Sequence, residues 1–312
     1  MGPFARVLRC APLVALGAMG CGTSRESAVH VVGSTSMLPF AERLAEEFER
    51  REPGIHVQVQ GGGSTLGLLA VANGIAEIGA CSRSLHRGDP GEAQFTPVPI
   101  AQDAIALVVH PSNPLSGLSR QQLRAVFSGQ AANWREVGGP DAPIRVITRE
   151  EGSGTLDAFL AEVMGGVRVT PLALVQESNG AMKEVVKQDP CAIGFMSMSL
   201  VGLGLKALAV DGARPSALAT ERSEYPLVRP FLLVVKGAPS GAAVRFLEFA
   251  RSPEAQQLIE QERMRNATSV ARPGGVRPDP VVPGLWGQQG HGGERDWLDL
   301  GAALCRDARG GV

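Results

Sequence analysis

The stretch Ala28–Phe48, AVHVVGSTSMLPFAERLAEEF, carries the pattern that decides the fold. Ala28 to Val32 is an apolar run of strand length. Gly33-Ser34-Thr35-Ser36 interrupts it with small, hydroxyl-bearing residues. Leu38, Ala41, Leu44, Ala45 and Phe48 then recur at helical spacing with charges between them. The unit is therefore strand, small polar loop, helix.

The unit repeats outward from there. Ile55, Val57 and Val59 alternate with polar residues and lead to Gly61-Gly62-Gly63-Ser64, and a helix follows through Leu66, Leu68, Leu69 and Val71. Glu77 to Cys81 reads as a strand ending at Ser82-Arg83. Ile144 to Ile147 feeds Thr148-Arg149-Glu150-Glu151-Gly152-Ser153-Gly154-Thr155, after which Leu156, Phe159, Leu160 and Val163 share a helical face. Ala104–Val109, Ala192–Met196 and Pro230–Val235 read as buried strands. Leu118–Phe127, Met182–Lys187 and Gly241–Arg263 read as helices. Alternation of this kind predicts α/β lobes whose sheets are mostly parallel and flanked by crossover helices.

Composition bounds the function. With 312 residues, 44% hydrophobic and 20% charged, the chain is long enough for two cores. A net charge of -1 and 4% aromatic residues argue against nucleic acid as partner. The N-terminus reads as an export signal: Arg6 and Arg9 precede an apolar run from Cys10 to Gly20, too short to span a bilayer. Small residues then precede Cys21, and residues 22–27 read as a polar tether. The pattern predicts Cys21 as a lipidated residue, with plain signal cleavage as the alternative. Of the five cysteines, Cys81, Cys191 and Cys305 remain after the signal and anchor, an odd number that leaves at least one unpaired within the chain. No cysteine or histidine spacing suggests a metal, and no cofactor is expected.

Four loops share one chemical design: Gly33–Ser36, Gly61–Ser64, Cys81–Arg83 and Arg149–Thr155. Each stands at the carboxyl end of an expected strand, where open α/β sheets bind ligands. A helix N-terminus offers free N–H groups and partial positive charge, hydroxyls add donors, and arginine adds a charged fork. Any one of these serines could serve only as a helix cap. Recurrence across four loops, two with an arginine, points instead to an oxyanion. No Gly-x-Ser-x-Gly elbow, Walker motif or loop histidine supports catalysis, so the chain does not read as an enzyme.

These motifs, with Ala192-Ile193-Gly194-Phe195 and Arg229-Pro230-Phe231, resemble the phosphate-binding proteins of bacterial phosphate ABC transporters from about Val29 to Met264. The resemblance implies a two-lobed, hinge-closing periplasmic-binding-protein fold of the second type. Lobe 1 would comprise 28–105 with 228–264, lobe 2 would comprise 106–227, and 265–312 would be a Gly/Pro-rich extension. It implies a monomer outside the cytoplasm, held to a membrane only by the lipid, that passes inorganic phosphate to a transporter permease. Carried over by residue, Thr35, Ser36, Ser64, Ser82, Arg83, Arg149, Ser153, Gly154 and Thr155 would hold the anion, with Glu151 supporting Arg149. Some relatives carry an aspartate where Arg83 stands, and that aspartate accepts the proton of phosphate. Its absence keeps sulfate, molybdate and tungstate open as ligands, with Glu150, Glu151, Asp103 and Asp157 as substitute acceptors. The unassigned tail keeps open a sensing or envelope role on the same fold. Asp296–Cys305 reads as a short terminal helix.

Overall fold

The computed structural model describes residues 27–270 apart from Ser240. The export signal, Cys21, and the readings made for 271–312 lie outside the described residues. The chain opens with β1 (Ser27–Gly33), α1 (Leu38–Arg51), β2 (Ile55–Gly61), α2 (Ser64–Ala72), β3 (Ile78–Cys81) and the long β4 (Phe95–Val109). It continues with β5 (Gly117–Leu118), α3 (Arg120–Ser128), β6 (Arg145–Arg149), α4 (Gly154–Phe159), β7 (Leu174–Gln176), α5 (Asn179–Gln188) and β8 (Ala192–Ser197). It ends with β9 (Lys206–Val210), α6 (Ala217–Glu221), β10 (Val228–Lys236), α7 (Ala242–Ala250) and α8 (Pro253–Val270). Among the described residues no helix is long and apolar enough to cross a membrane.

One sheet runs through both lobes in the order β2-β1-β3-β10-β4-β8-β6-β7, with β9 on β4 and β5 on β9. β1 pairs in parallel with β2 and β3, as the strand–loop–helix units require. β10 and β4 run antiparallel and carry the sheet from one core to the other. The first core gathers Val29, Val31, Phe40, Phe48, Phe231 and Phe246. The second gathers Leu107, Val109, Phe127, Phe159, Phe195 and Trp134. Its centre is aromatic: Phe159 stacks on Phe195 at 4.1 Å between ring centroids, and Phe127 lies 4.7 Å from Phe159.

Two glycines let the elements approach. Gly33 has φ +144°, and a Cβ there would stand 2.2 Å from the Ala80 carbonyl oxygen. Gly67 brings α2 onto β1 and β3, where a Cβ would meet the Val32 carbonyl oxygen at 2.5 Å.

The strands read from the sequence overlap observed strands, with Glu77 and Ile144 one residue ahead of β3 and β6, and three element extents differ more widely. β4 begins at Phe95, not near Ala104. Pro97 and Pro99 argued against a strand there. They are tolerated because this half of β4 pairs with β10 alone, so one side of the backbone needs no donors. The helix expected over Gly241–Arg263 is two helices, broken at Arg251–Ser252 before Pro253. The second runs to Val270, so residues 265–270 are helical and not irregular as expected.

The aromatic stack generates a test. Phe159→Ala removes a side chain with no exposed area from between Phe127 and Phe195. It should lower unfolding stability by about 3–5 kcal/mol, read as a lower urea midpoint. A change under about 1 kcal/mol would mean that the second core does not depend on the stack.

Candidate functional site

The four loops meet where the lobes face each other. Gly33–Ser36 and Gly61–Ser64 come from lobe 1 with Ser82 behind β3, and Ser153–Thr155 opens α4 in lobe 2. The hydroxyls of Ser36 and Thr155 lie 3.1 Å apart across the cleft. Ser34 Oγ donates to Ser82 Oγ at 2.8 Å, and Ser82 N–H donates to Ser64 Oγ at 3.0 Å. Thr65 N–H reaches the Gly152 carbonyl at 3.1 Å. Ser36, Ser64, Ser82, Ser153 and Thr155 are all buried. A Cβ on Gly154 would stand 2.2 Å from Ser64 Oγ, so only glycine permits this approach. The arrangement is a closed one.

Ser153 also caps α4, accepting from Leu156 N–H at 3.4 Å. Its hydroxyl proton remains available to a ligand. Ser36 is not a cap, since Met37 precedes α1 without any side-chain cap bond.

Arg149 closes β6, with its side chain 1% exposed. Its Nε and Nη2 donate to Glu150, each at 2.9 Å, and Nη2 also reaches Thr35 Oγ1 at 3.2 Å. Its Nη1 is buried and has no hydrogen-bond partner. The expected support from Glu151 is corrected here: Glu150 forms the pair, while Glu151 is exposed. The turn at Glu151–Gly152 carries Glu151 outward, whereas Glu150 follows β6 directly and folds back on its neighbour.

Arg83 also departs from expectation. It does not face the hydroxyl cluster. Its Nη1 and Nη2 donate to Glu92 at 3.0 and 2.6 Å, Nη1 also to the Ser84 carbonyl, and Nε to Asp157 at 2.9 Å. Burial works against its charge, but Glu92 and Asp157 outweigh that and raise its pKa above the usual value. Burial raises the Asp157 carboxyl more than Arg83 lowers it. Every nitrogen of Arg83 is thus committed to a cage that joins the β3 loop of lobe 1 to α4 of lobe 2.

The second guanidinium in the cleft belongs to Arg229, on the hinge strand β10. Its Nη1 donates to Thr155 Oγ1 at 2.7 Å and Ser82 Oγ at 3.2 Å, and its Nη2 donates to Ser36 Oγ at 2.9 Å. Its Nε and Nη2 clasp Asp103 Oδ2 at 3.1 and 2.9 Å, from the residue directly opposite on β4. Both side chains are 1% exposed. Burial draws the Arg229 pKa down, Asp103 opposes this, and Arg149 adds to it by repulsion. The other Asp103 oxygen accepts from Ser197 and Ser199 at 2.9 and 3.0 Å. Asn179 completes the cluster at the start of α5, donating to Ser36 Oγ at 3.0 Å and Thr35 Oγ1 at 3.3 Å.

Sequence reading missed Arg229 and Asn179 as site residues. Arg229 sits inside a strand, so the loop criterion passed over it, although a charge in the apolar run Val228–Val235 is a visible signal. Asn179 follows β7, whose three residues are too few to show a strand period. A buried pair leaves one charge stranded when the other is removed. Asp103→Ala should therefore cost about 3–5 kcal/mol of stability, read in a denaturant titration. An unchanged midpoint would mean that Arg229 does not need its counter-charge.

The model of the PBP superfamily domain matches residues 22–254. The Bacillus subtilis phosphate-binding protein PstS is 29% identical over 231 residues, covering 73% of this chain and 77% of that protein. A Clostridium perfringens chain solved with bound phosphate is 34% identical with TM-score 0.72, covering 76% of this chain and 98% of that one. An ABC-type phosphate transport receptor from Vibrio cholerae is 35% identical with TM-score 0.65, covering 75% and 98%.

Proposed function

The chain belongs to the PBP superfamily, where it stands with the PstS-like phosphate-binding proteins, and on that premise we propose that it captures inorganic phosphate between its lobes and delivers it to an ABC transporter. The observation that carries this reading is the buried, unpartnered Nη1 of Arg149, a lobe 2 guanidinium whose Nη2 reaches the Thr35 hydroxyl of lobe 1. A buried charged donor without a partner is costly, and an anion oxygen relieves that cost.

In this reading Thr35, Ser36, Ser64, Ser82, Arg149, Ser153, Gly154 and Thr155 bind the anion, with Arg229 and Asn179 added and Arg83 removed. The hydroxyls that now bond one another would turn to phosphate oxygens once the lobes part and reclose. The open–closed equilibrium shifts by the difference in affinity between the two states. The starts of α2 and α5 add N–H groups and partial positive charge. Charge alone does not draw the ligand in, because Arg149 and Arg229 each already carry a carboxylate partner.

The same geometry supports binding over turnover. His30, His56, His86 and His110 pair with Glu77, Glu49, Glu92 and Ser112, away from the site serines. Those serines bond hydroxyls, N–H groups and guanidiniums, which do not act as bases.

A second reading concerns the anion. Asp103, Glu150, Glu92 and Asp157 are all committed to guanidiniums. A protonated phosphate oxygen therefore meets hydroxyl acceptors and not a free carboxylate. That supports competition by sulfate, molybdate or tungstate, which a carboxylate acceptor would repel.

Titration calorimetry of the exported chain against phosphate, arsenate, sulfate, molybdate and tungstate tests both readings. Phosphate should bind tightest, with sulfate weaker but measurable. Arg149→Ala should weaken phosphate at least about tenfold. Unchanged affinity would remove Arg149 from the site, and tighter sulfate binding would replace the first reading by the second. The leader motivates a separate expectation: Cys21 carries a lipid that holds the receptor at the outer membrane face. Radiolabelled palmitate should mark the native chain and not Cys21→Ser. Equal label in both would place the anchor elsewhere.

A further inference from the structure

Cys191 stands in the turn before β8, where its N–H donates to Asp189 Oδ1 at 2.9 Å and its carbonyl accepts from Trp134 Nε1 at 3.3 Å. It is disulfide-bonded. Cys81, the other cysteine among the described residues, is free and fully buried in lobe 1, so the second sulfur of the bond lies outside the described residues. The chain offers Cys10, Cys21 and Cys305. Cys10 lies within the expected export signal, which maturation would remove.

Strand register excludes Cys21. Ser27 begins β1 at the outer end of lobe 1, and Cys191 precedes β8 at the outer end of lobe 2. The 15 residues of β4 run between those two ends, a length of about 50 Å at 3.3–3.4 Å per residue. From Cys21 to Ser27 the extended chain reaches only about 20 Å. Cys305 has no such limit, because residues 271–304 beyond α8 span roughly 100 Å when extended.

The surface at Cys191 suits a helical segment. Cys191 lines an open groove of about 280 Å³ with Val126, Pro143, Ile144, Val146 and Leu172. Leu172 is 87% exposed, a large apolar side chain facing water at the rim. The sequence before Cys305 places Trp297, Leu300 and Leu304 at i, i+3 and i+7, with Cys305 at i+8. That spacing puts the three apolar side chains and the thiol on one face of a helix. We propose that residues 296–305 dock in this groove on lobe 2, fixed by a Cys191–Cys305 disulfide. In forming the bond the two thiols lose two protons and two electrons to a disulfide oxidant of the compartment outside the cytoplasm, which is reduced to its dithiol. The tail thus covers the outer end of lobe 2, not lobe 1.

Peptide mapping of the exported chain without reductant tests the bond. One linked pair containing Cys191 and Cys305 is expected, with Cys81 alkylated only after unfolding. A free Cys305, or a dimer on a non-reducing gel, overturns the proposal. Hydrogen exchange tests the docking. Cys305→Ser should lose protection over residues 126–146. The double variant Leu300→Asp, Leu304→Asp should lose the same protection while keeping the disulfide. Unchanged exchange in both, with the linked peptide present in the double variant, would show a tether without docking and sink the proposed interface.

Discussion

The clasp between Asp103 and Arg229 is the constraint on which the cleft depends. The two residues face each other across the hinge ladder, so one backbone register positions both charges. From there Arg229 reaches Ser36 in lobe 1 and Thr155 in lobe 2. A buried ion pair is weak evidence for stability as such, because desolvation offsets much of the attraction. Its value here is positional. It fixes a guanidinium on the strand that both lobes share, and the loops of each lobe then have one common donor to close upon.

Arg149 works differently. It hangs from the end of a lobe 2 strand and is steered by Glu150 and by the backbone carbonyls of Gln176 and Glu177. The two guanidiniums therefore enter the cleft from different supports, one from the hinge and one from a lobe. Arg83 has a third task. Its contacts with Glu92 and Asp157 draw the β3 loop toward α4 at the side of the site. That geometry removes it as a direct reader of the anion. Selectivity therefore rests not on Arg83 but on Asp103, Glu150, Glu92 and Asp157, each of which is held by a guanidinium.

Much of this was legible in the sequence because strand-end loops announce themselves. Glycine and serine after an apolar run fix both the turn and the donors, and Gly33, Ser64, Ser153 and Thr155 stand where the pattern placed them. What was not legible had identifiable causes. Arg229 and Asp103 act from within a ladder, where strand period hides a functional charge among structural ones. The exchange of Glu150 for Glu151 depends on the direction of a single turn residue, below the resolution of spacing arguments. Arg83 follows a serine at a strand end just as an anion-binding residue would, and it is Glu92, nine positions on, with Asp157 from the other lobe, that turns it away. Pro97 and Pro99 concealed half of the hinge strand because the edge status that tolerates them is a property of the sheet, not of the segment.

The uninterrupted sheet has a mechanical consequence. The lobes are not joined by slack loops: β4 pairs with β10 over Phe95–Ala104 in one lobe and runs on without a break to pair with β8 over Ile105–Val109 in the other. The β4–β10 register shifts only between Phe231 and Leu232, two residues from Arg229. Flexure of the lobes thus concentrates beside the very side chain that touches both of them. Shape change and ligand contact are then coupled at one place, so this strand pair acts as a sprung joint whose rest angle a bound ion resets.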